Sequence, residues 1–174
     1  MTRPIATAAL ALAMAATPMK AQETELERRS MSGPRLGLTM VTGRRADSLL
    51  DARGLNPLMS QFGWHFEQIV RPVGGGPMFV VQQVFMLGAV EQRLAIPSLT
   101  LLMGIRFTNG LEFGLGPNLL ATGSRSEPVV TALAVGAGRS IDYGGVSIPL
   151  NLAVVHSPGA TRFSVLVGYA LRDR

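Results

Sequence analysis

The chain has two histidines, His65 and His156, and each sits close to a group with which it could do chemistry. Ser157 follows His156 directly, and a serine beside a histidine is what an acyl-transfer site needs once an acid completes it. Neighbours on an extended strand point to opposite faces, so this dipeptide is not a nucleophile with its base. A histidine at the end of a loop is the plainer reading. A lipid-modifying site would have to bring Ser124 or Ser126 to His156 from a separate loop. His65 lies two positions before Glu67, so in a strand both side chains share a face. A structural hydrogen bond there is simpler than proton transfer.

The wider polar set is His65, Glu67, Arg106, Glu112, Asn118 and Asn151. Each falls on the less bulky face of an alternating segment. Arg106 and Glu112 flank Asn109-Gly110 at mirrored positions, close enough to pair across a hairpin. A charge buried in a narrow interior costs several kcal/mol unless it finds a partner, so these residues read as a structural filling before they read as a ligand site. The glycines at 74–76 and the Gly114-x-Gly116 pair do not precede a helix and lack the Lys-Ser/Thr of a phosphate loop. No His/Asp/Glu grouping has metal-ligand spacing, and neither a metal nor a cofactor is expected.

The elements that must position these residues are strands. Leu99, Leu101, Met103, Ile105 and Phe107 alternate with Ser98, Thr100, Gly104 and Arg106, and Leu102 alone breaks the rule. After Asn109-Gly110 the pattern resumes with Leu111, Phe113 and Leu115. Asn-Gly between alternating runs predicts a hairpin, through a type I′ turn with both residues at positive φ. Similar runs lie at 36–42, 62–67, 79–87, 129–139, 146–154 and 163–171, which makes eight, with the run at 79–87 the least regular. Helical periodicity appears only at 46–53, where Ala46, Leu49, Leu50 and Arg53 would share a face.

What sets the class is the chemistry of the two faces. One is aliphatic and aromatic, while the other is Gly, Ala, Ser, Thr and Asn with rare charges. A soluble sandwich buries its bulky face and exposes charge. Here the balance suits a barrel turned inside out, with lipid against the bulky face and small or polar groups crowding a narrow lumen. Short turns are expected at 72–76, 108–110 and 140–144, on the periplasmic side. Connections at 43–58, 88–96, 121–127 and 157–161 are expected on the outer side, the first with the helix. A soluble periplasmic barrel carrying a small apolar ligand is the alternative, and it would need the bulky faces inside.

Residues 1–21 carry Arg3, then an apolar run of about 12 residues, then Ala21 as a cleavage point. That fits a signal peptide and falls short of the roughly 20 residues a spanning helix needs. Residues 22–35 are polar and read as a flexible periplasmic lead-in, with the barrel at 36–174. Removing Arg3 and Lys20 lowers the net charge from +5 to +3. The bases are nearly all arginines, scattered with no basic stripe beside aromatics, which argues against nucleic acid as a partner. The chain has no cysteine, so disulfides contribute nothing to its stability.

The strings SQFGWHFE (60–67), IPSLTLLMGIRFTNGLEFGLGPNL (96–119) and GVSIPLNLAVVHSPGATRFSVLVGY (145–169) resemble small, mostly uncharacterised outer-membrane β-barrel proteins of Gram-negative bacteria. The resemblance covers most of the chain after Ser60 and implies architecture and location rather than an activity. Such barrels often end on an aromatic residue, whereas this chain continues past Tyr169 with Ala-Leu-Arg-Asp-Arg. The combined expectation is an all-β, eight-stranded antiparallel up-and-down transmembrane barrel, exported to the outer membrane, with a filled or narrow lumen. Its partners would be outer-membrane lipid and an extracellular or periplasmic protein, in a structural or loop-mediated recognition role.

Overall fold

The computed structural model describes residues 26–172 except 124, 126 and 145. The segment expected to be a signal peptide lies outside the described residues. Antiparallel strands β1 (Leu26–Thr42), β2 (Leu58–Pro72), β3 (Met78–Gly88), β4 (Ile96–Arg106), β5 (Leu111–Ala121), β6 (Val129–Tyr143), β7 (Val146–Ser157) and β8 (Ala160–Gly168) follow one another around a ring, and β9 (Ala170–Arg172) completes it. β1 pairs with both β2 and β8, which closes the barrel.

β9 continues β8 rather than adding a ninth strand. Against β1 the register runs from Arg35↔Gly168 to Ser32↔Leu171 without a slip. The ladder lapses at Tyr169, which lies opposite Pro34, with Pro149 close by on β7. Neither proline has an N–H to donate. The fold is therefore an eight-stranded up-and-down barrel.

The bulky faces point outward, as the alternation requires. Phe62, Trp64, Phe66, Phe79, Phe85, Leu115, Leu133 and Leu152 are all exposed, Trp64 at 45% and Leu152 at 59%. An inward-facing apolar cavity, as a soluble ligand carrier would need, is not how the wall is built. β3, the irregular run in the sequence, alternates cleanly from Met78 to Gly88, and that places Gln83 on the outer face.

Three expectations need correction. Residues 26–35 are wall rather than lead-in: β1 pairs with β2 from Leu26↔Pro72 onward. Its outward positions there include Ser30, Ser32 and Pro34, so no apolar face announces the strand, yet the lower half of β2 needs a partner for its backbone groups. The turn expected at 140–144 contracts, because β6 runs to Tyr143 and β7 starts at Val146. The Asn109-Gly110 hairpin forms, but only Gly110 has a positive φ (82°). Gly110 N–H donates to Phe107 C=O at 3.0 Å, which is a type I turn closed by a glycine bulge rather than type I′.

Helix α1 (Arg44–Arg53) follows β1 and stops at Gly54, whose left-handed φ of 63° a side chain would resist. Ala46 and Leu50, one turn apart, are buried. Leu50 packs with Met59, Ala89, Val41, Leu55, Leu94 and Ile96. Val41, Met59 and Ile96 are inward-facing rim positions, so the helix folds over the loop end of the barrel. Arg45 ties it to the later loops, through a side-chain ion pair with Glu127 and a backbone N–H to Gly159 C=O at 3.1 Å.

Candidate functional site: a charged plug in the lumen

β2 and β4 each send one long polar side chain into the same level of the lumen. Glu67 lies beside Gln82 in the β2–β3 register, and Arg106 lies beside Glu112 in the β4–β5 register. Arg106 Nη1 and Nη2 donate to the two oxygens of Glu67 at 2.7 and 2.6 Å, a bidentate clamp. Its Nε donates to Glu112 Oε2 at 2.8 Å, and Nη2 reaches the same carboxylate. One guanidinium thus holds two carboxylates, and all three residues are at most 6% exposed.

The cluster extends through amides. Gln82 donates to Glu67 Oε2 at 2.9 Å and to Glu112 Oε2 at 3.4 Å. Asn151 donates to the other oxygen of Glu112 and accepts from Arg35 Nη1 at 3.2 Å. Arg35 also reaches Pro149 C=O at 3.5 Å. The network crosses from β1 and β2 through β3, β4 and β5 to β7.

A second polar group lies nearer the loop end. Asn118 donates to Thr100 Oγ1 at 2.8 Å and accepts from Arg162. Thr39 and Ser164 share a hydrogen bond at 2.7 Å across the closing seam. All six residues singled out in the sequence therefore turn inward, and the expected Arg106–Glu112 pair is present. Glu67, Arg106, Glu112 and Asn151 join one network, while Asn118 belongs to the other.

His65 stands apart, though it is 1% exposed. Its Nε2 lies 3.4 Å from Glu67 Oε2, too far off line for a hydrogen bond, and neither ring nitrogen has a hydrogen-bond partner among the described residues. His156 faces outward at the rim with Nδ1 2.9 Å from Thr161 Oγ1, while Ser157 turns the other way and donates to Ala160 C=O at 3.3 Å. Ser124 and Ser126 lie outside the described residues.

Arg35, Arg162 and Gln82 escaped the sequence reading. Arg35 fell in the supposed lead-in, and Arg162 borders a supposed outer loop. Gln82 lies on the inward face of β3, but its tie to Glu67 needs a register that the intervening turn sets. Reading 26–35 as strand from the demand of β2 for a partner would have recovered Arg35.

Little space remains around the plug. A cavity of about 50 Å³, room for a few ordered waters, touches Arg35, Gln82, Glu112 and Asn151 together with Leu102 and Gly136. At the turn end a recess of about 250 Å³ lies between Arg29, Arg71, Asp142 and Tyr143, with Arg106 at its floor. That is below the usual range of drug-sized ligand pockets, roughly 300–1,000 Å³.

Inward charge, an outward apolar belt and a ring of eight antiparallel strands define a transmembrane-type β-barrel. Crystal structures of Ail, the attachment invasion locus protein of Yersinia pestis, are similar to it. One, in complex with the heparin analogue sucrose octasulfate, superposes with a TM-score of 0.54 at 12% identity, and another with 0.51 at 13%. Both alignments span 84% of this chain and 99% of Ail. At that identity the likeness concerns the fold. No protein-family model matches the chain, and no curated protein matches it by sequence.

Proposed function

We propose that the protein is a small outer-membrane barrel, sealed along its axis, that acts through its loop end in a structural or recognition role. The plugged lumen carries this reading. α1 covers the loop-end mouth, and the Glu67–Arg106–Glu112 clamp blocks the middle. Eight strands leave little interior in any case, and here charged side chains occupy it. Among the described residues the lumen holds no open route for solutes, which leaves the exposed loop end as the surface to meet a partner.

Placement in the outer membrane is supported by the outward belt, whose aromatic and aliphatic side chains suit hydrocarbon. It is supported also by the leader-like residues 1–21 and by the shared fold with Ail. The complex of Ail with a heparin analogue makes a sulfated polysaccharide the first ligand class to try. Arg44, Arg45 and Arg93 are exposed at the loop end here and could engage one.

The test uses the full chain expressed with its own leader. A carbonate-resistant protein in the outer-membrane fraction, migrating differently before and after boiling, is expected. Reconstituted vesicles should exclude small sugars and bind heparin at low salt, and Arg44→Glu with Arg45→Glu and Arg93→Glu should abolish binding. A soluble periplasmic protein with no gel shift would overturn the location. Sugar-permeable vesicles that do not bind heparin would overturn the sealed-barrel, loop-end reading.

A further inference from the structure

The outward belt carries one carboxamide, Gln83, where hydrocarbon is expected, and a second, Gln68, at the polar margin beside Ser30. β3 and β4 pair along their full lengths, from Met78↔Arg106 to Gly88↔Ile96, and Gln83 sits at the centre of β3 opposite Leu101. On its other side it faces Phe66 of β2. Gln68 faces Val81 one step towards the turn end, so it lies diagonally beside Gln83 on the same outer surface. Both glutamines are exposed, and neither side chain hydrogen-bonds within the described residues.

Apolar residues bracket Gln83 on both sides, whereas Gln68 meets Val81 on β3 and Ser30 on β1. Towards the loops lie Trp64 and Phe85, with Phe66 and Phe85 in edge-to-face contact at 6.1 Å. Towards the turns lie Phe79, Met103 and Ile105. The opposite wall differs: Leu150, Leu152 and Val154 of β7 and Val165 and Val167 of β8 keep its middle apolar.

An amide without a partner in hydrocarbon is costly, and lipid tails offer it no hydrogen bond. A carboxamide both donates and accepts, so its own kind satisfies it completely. We propose that the β2–β3–β4 face is a homodimer contact within the membrane, in which Gln83 and Gln68 hydrogen-bond their counterparts in a second copy of the chain. A twofold axis through this patch lets one self-complementary surface serve both copies. The aromatic cluster beside the amides packs around the contact.

This proposal rests on the membrane reading above, and the experiment separates the two. The chain lacks cysteine, so a single introduced thiol reports cleanly. Gln83→Cys, Gln68→Cys and, on the opposite wall, Leu152→Cys are each expressed in the full chain and oxidised in isolated outer membranes. The expected result is a disulfide-linked species of twice the chain mass from Gln83→Cys or Gln68→Cys and none from Leu152→Cys. In vesicles, Gln83→Leu should weaken self-association by roughly tenfold in a fluorescence-transfer assay while keeping the boiling-dependent gel shift. If the protein is absent from the membrane fraction, the earlier reading fails. The dimer alone is overturned if heat-modifiable, membrane-embedded protein gives no doubled species, couples equally from Leu152→Cys, links to a different protein, or associates unchanged with Gln83→Leu.

Discussion

β4 and β6 treat the lumen in opposite ways. β4 sends in Leu102 and Arg106, whereas β6 offers only Ala132, Ala134, Gly136 and Gly138 over the same span. The two fit each other. Leu102 packs against Ala132, Ala134 and Val155, and a Cβ added at Gly136 would meet Leu102 Cδ1 at 3.3 Å. The small residues of one strand are therefore the room that the large residues of another fill. Leu102, which breaks the alternation in the sequence, crosses the lumen to use that room.

The contrast is broken most severely from the β4 side. Arg106→Met should destabilise the barrel by about 3–5 kcal/mol, because Glu67 and Glu112 are left buried without their cation. Urea unfolding in detergent micelles measures it. Adding Glu67→Gln and Glu112→Gln to that variant should recover most of the loss, since no buried charge is then orphaned. A triple variant as unstable as the single one would show that shape, rather than charge, makes the clamp matter.

From the β6 side, Gly136→Val should cost about 1–3 kcal/mol by forcing Leu102 out of its place. Combining it with Leu102→Ala should return much of that cost, and the coupling in such a cycle quantifies the fit between the strands. His65→Leu sharpens the comparison differently. It removes a buried side chain that has no hydrogen bond to lose, so stability should change by less than about 1 kcal/mol or rise.

The smallest effect lies at the loop end, outside the wall. Ser60 N–H donates to Glu91 Oε1 at 3.0 Å and its hydroxyl reaches Oε2, and these bonds hold the Glu91 carboxyl down at about 2. A depressed carboxyl stabilises the fold above its ordinary value of 4.5, and that contribution fades as pH falls towards 2. Protection against hydrogen exchange at Ala89 and Leu94, taken relative to the intrinsic rate at each pH, should therefore fall below pH 4.5 and stay flat above it. Ser60→Ala should leave the onset in place and shrink the change, since the carboxyl then lies closer to its ordinary value.

Much of the wall was legible in the sequence, because strands that meet lipid on one face and a crowded lumen on the other alternate strongly. Leu111, Phe113 and Leu115 against Glu112, Gly114 and Gly116 needed no structure to sort. The pattern failed where neither face was apolar, as at Ser30, Ser32 and Pro34, and there the backbone of a neighbour decided the matter. Within the plug, Arg106–Glu112 was visible because one tight turn separates them. Glu67 was assigned to the correct face, but its clamp on Arg106, 39 residues away, depends on closure of the β2–β3–β4 register, which no local pattern encodes.

The seam between β1 and β8 has a consequence in time. Thr39 and Ser164 meet across it although 125 residues separate them, whereas the β4–β5 hairpin joins Arg106 to Glu112 over six. Bringing such distant segments together loses the most chain entropy, so the seam should be the last ladder to form. Pulsed exchange during refolding would then protect those amides of residues 36–42 that bond to β8 after the amides of residues 111–115. Until that final zipping, β1 and β8 are both open edges, and a chaperone that shields them would guard the one interval when this barrel can join the wrong neighbour.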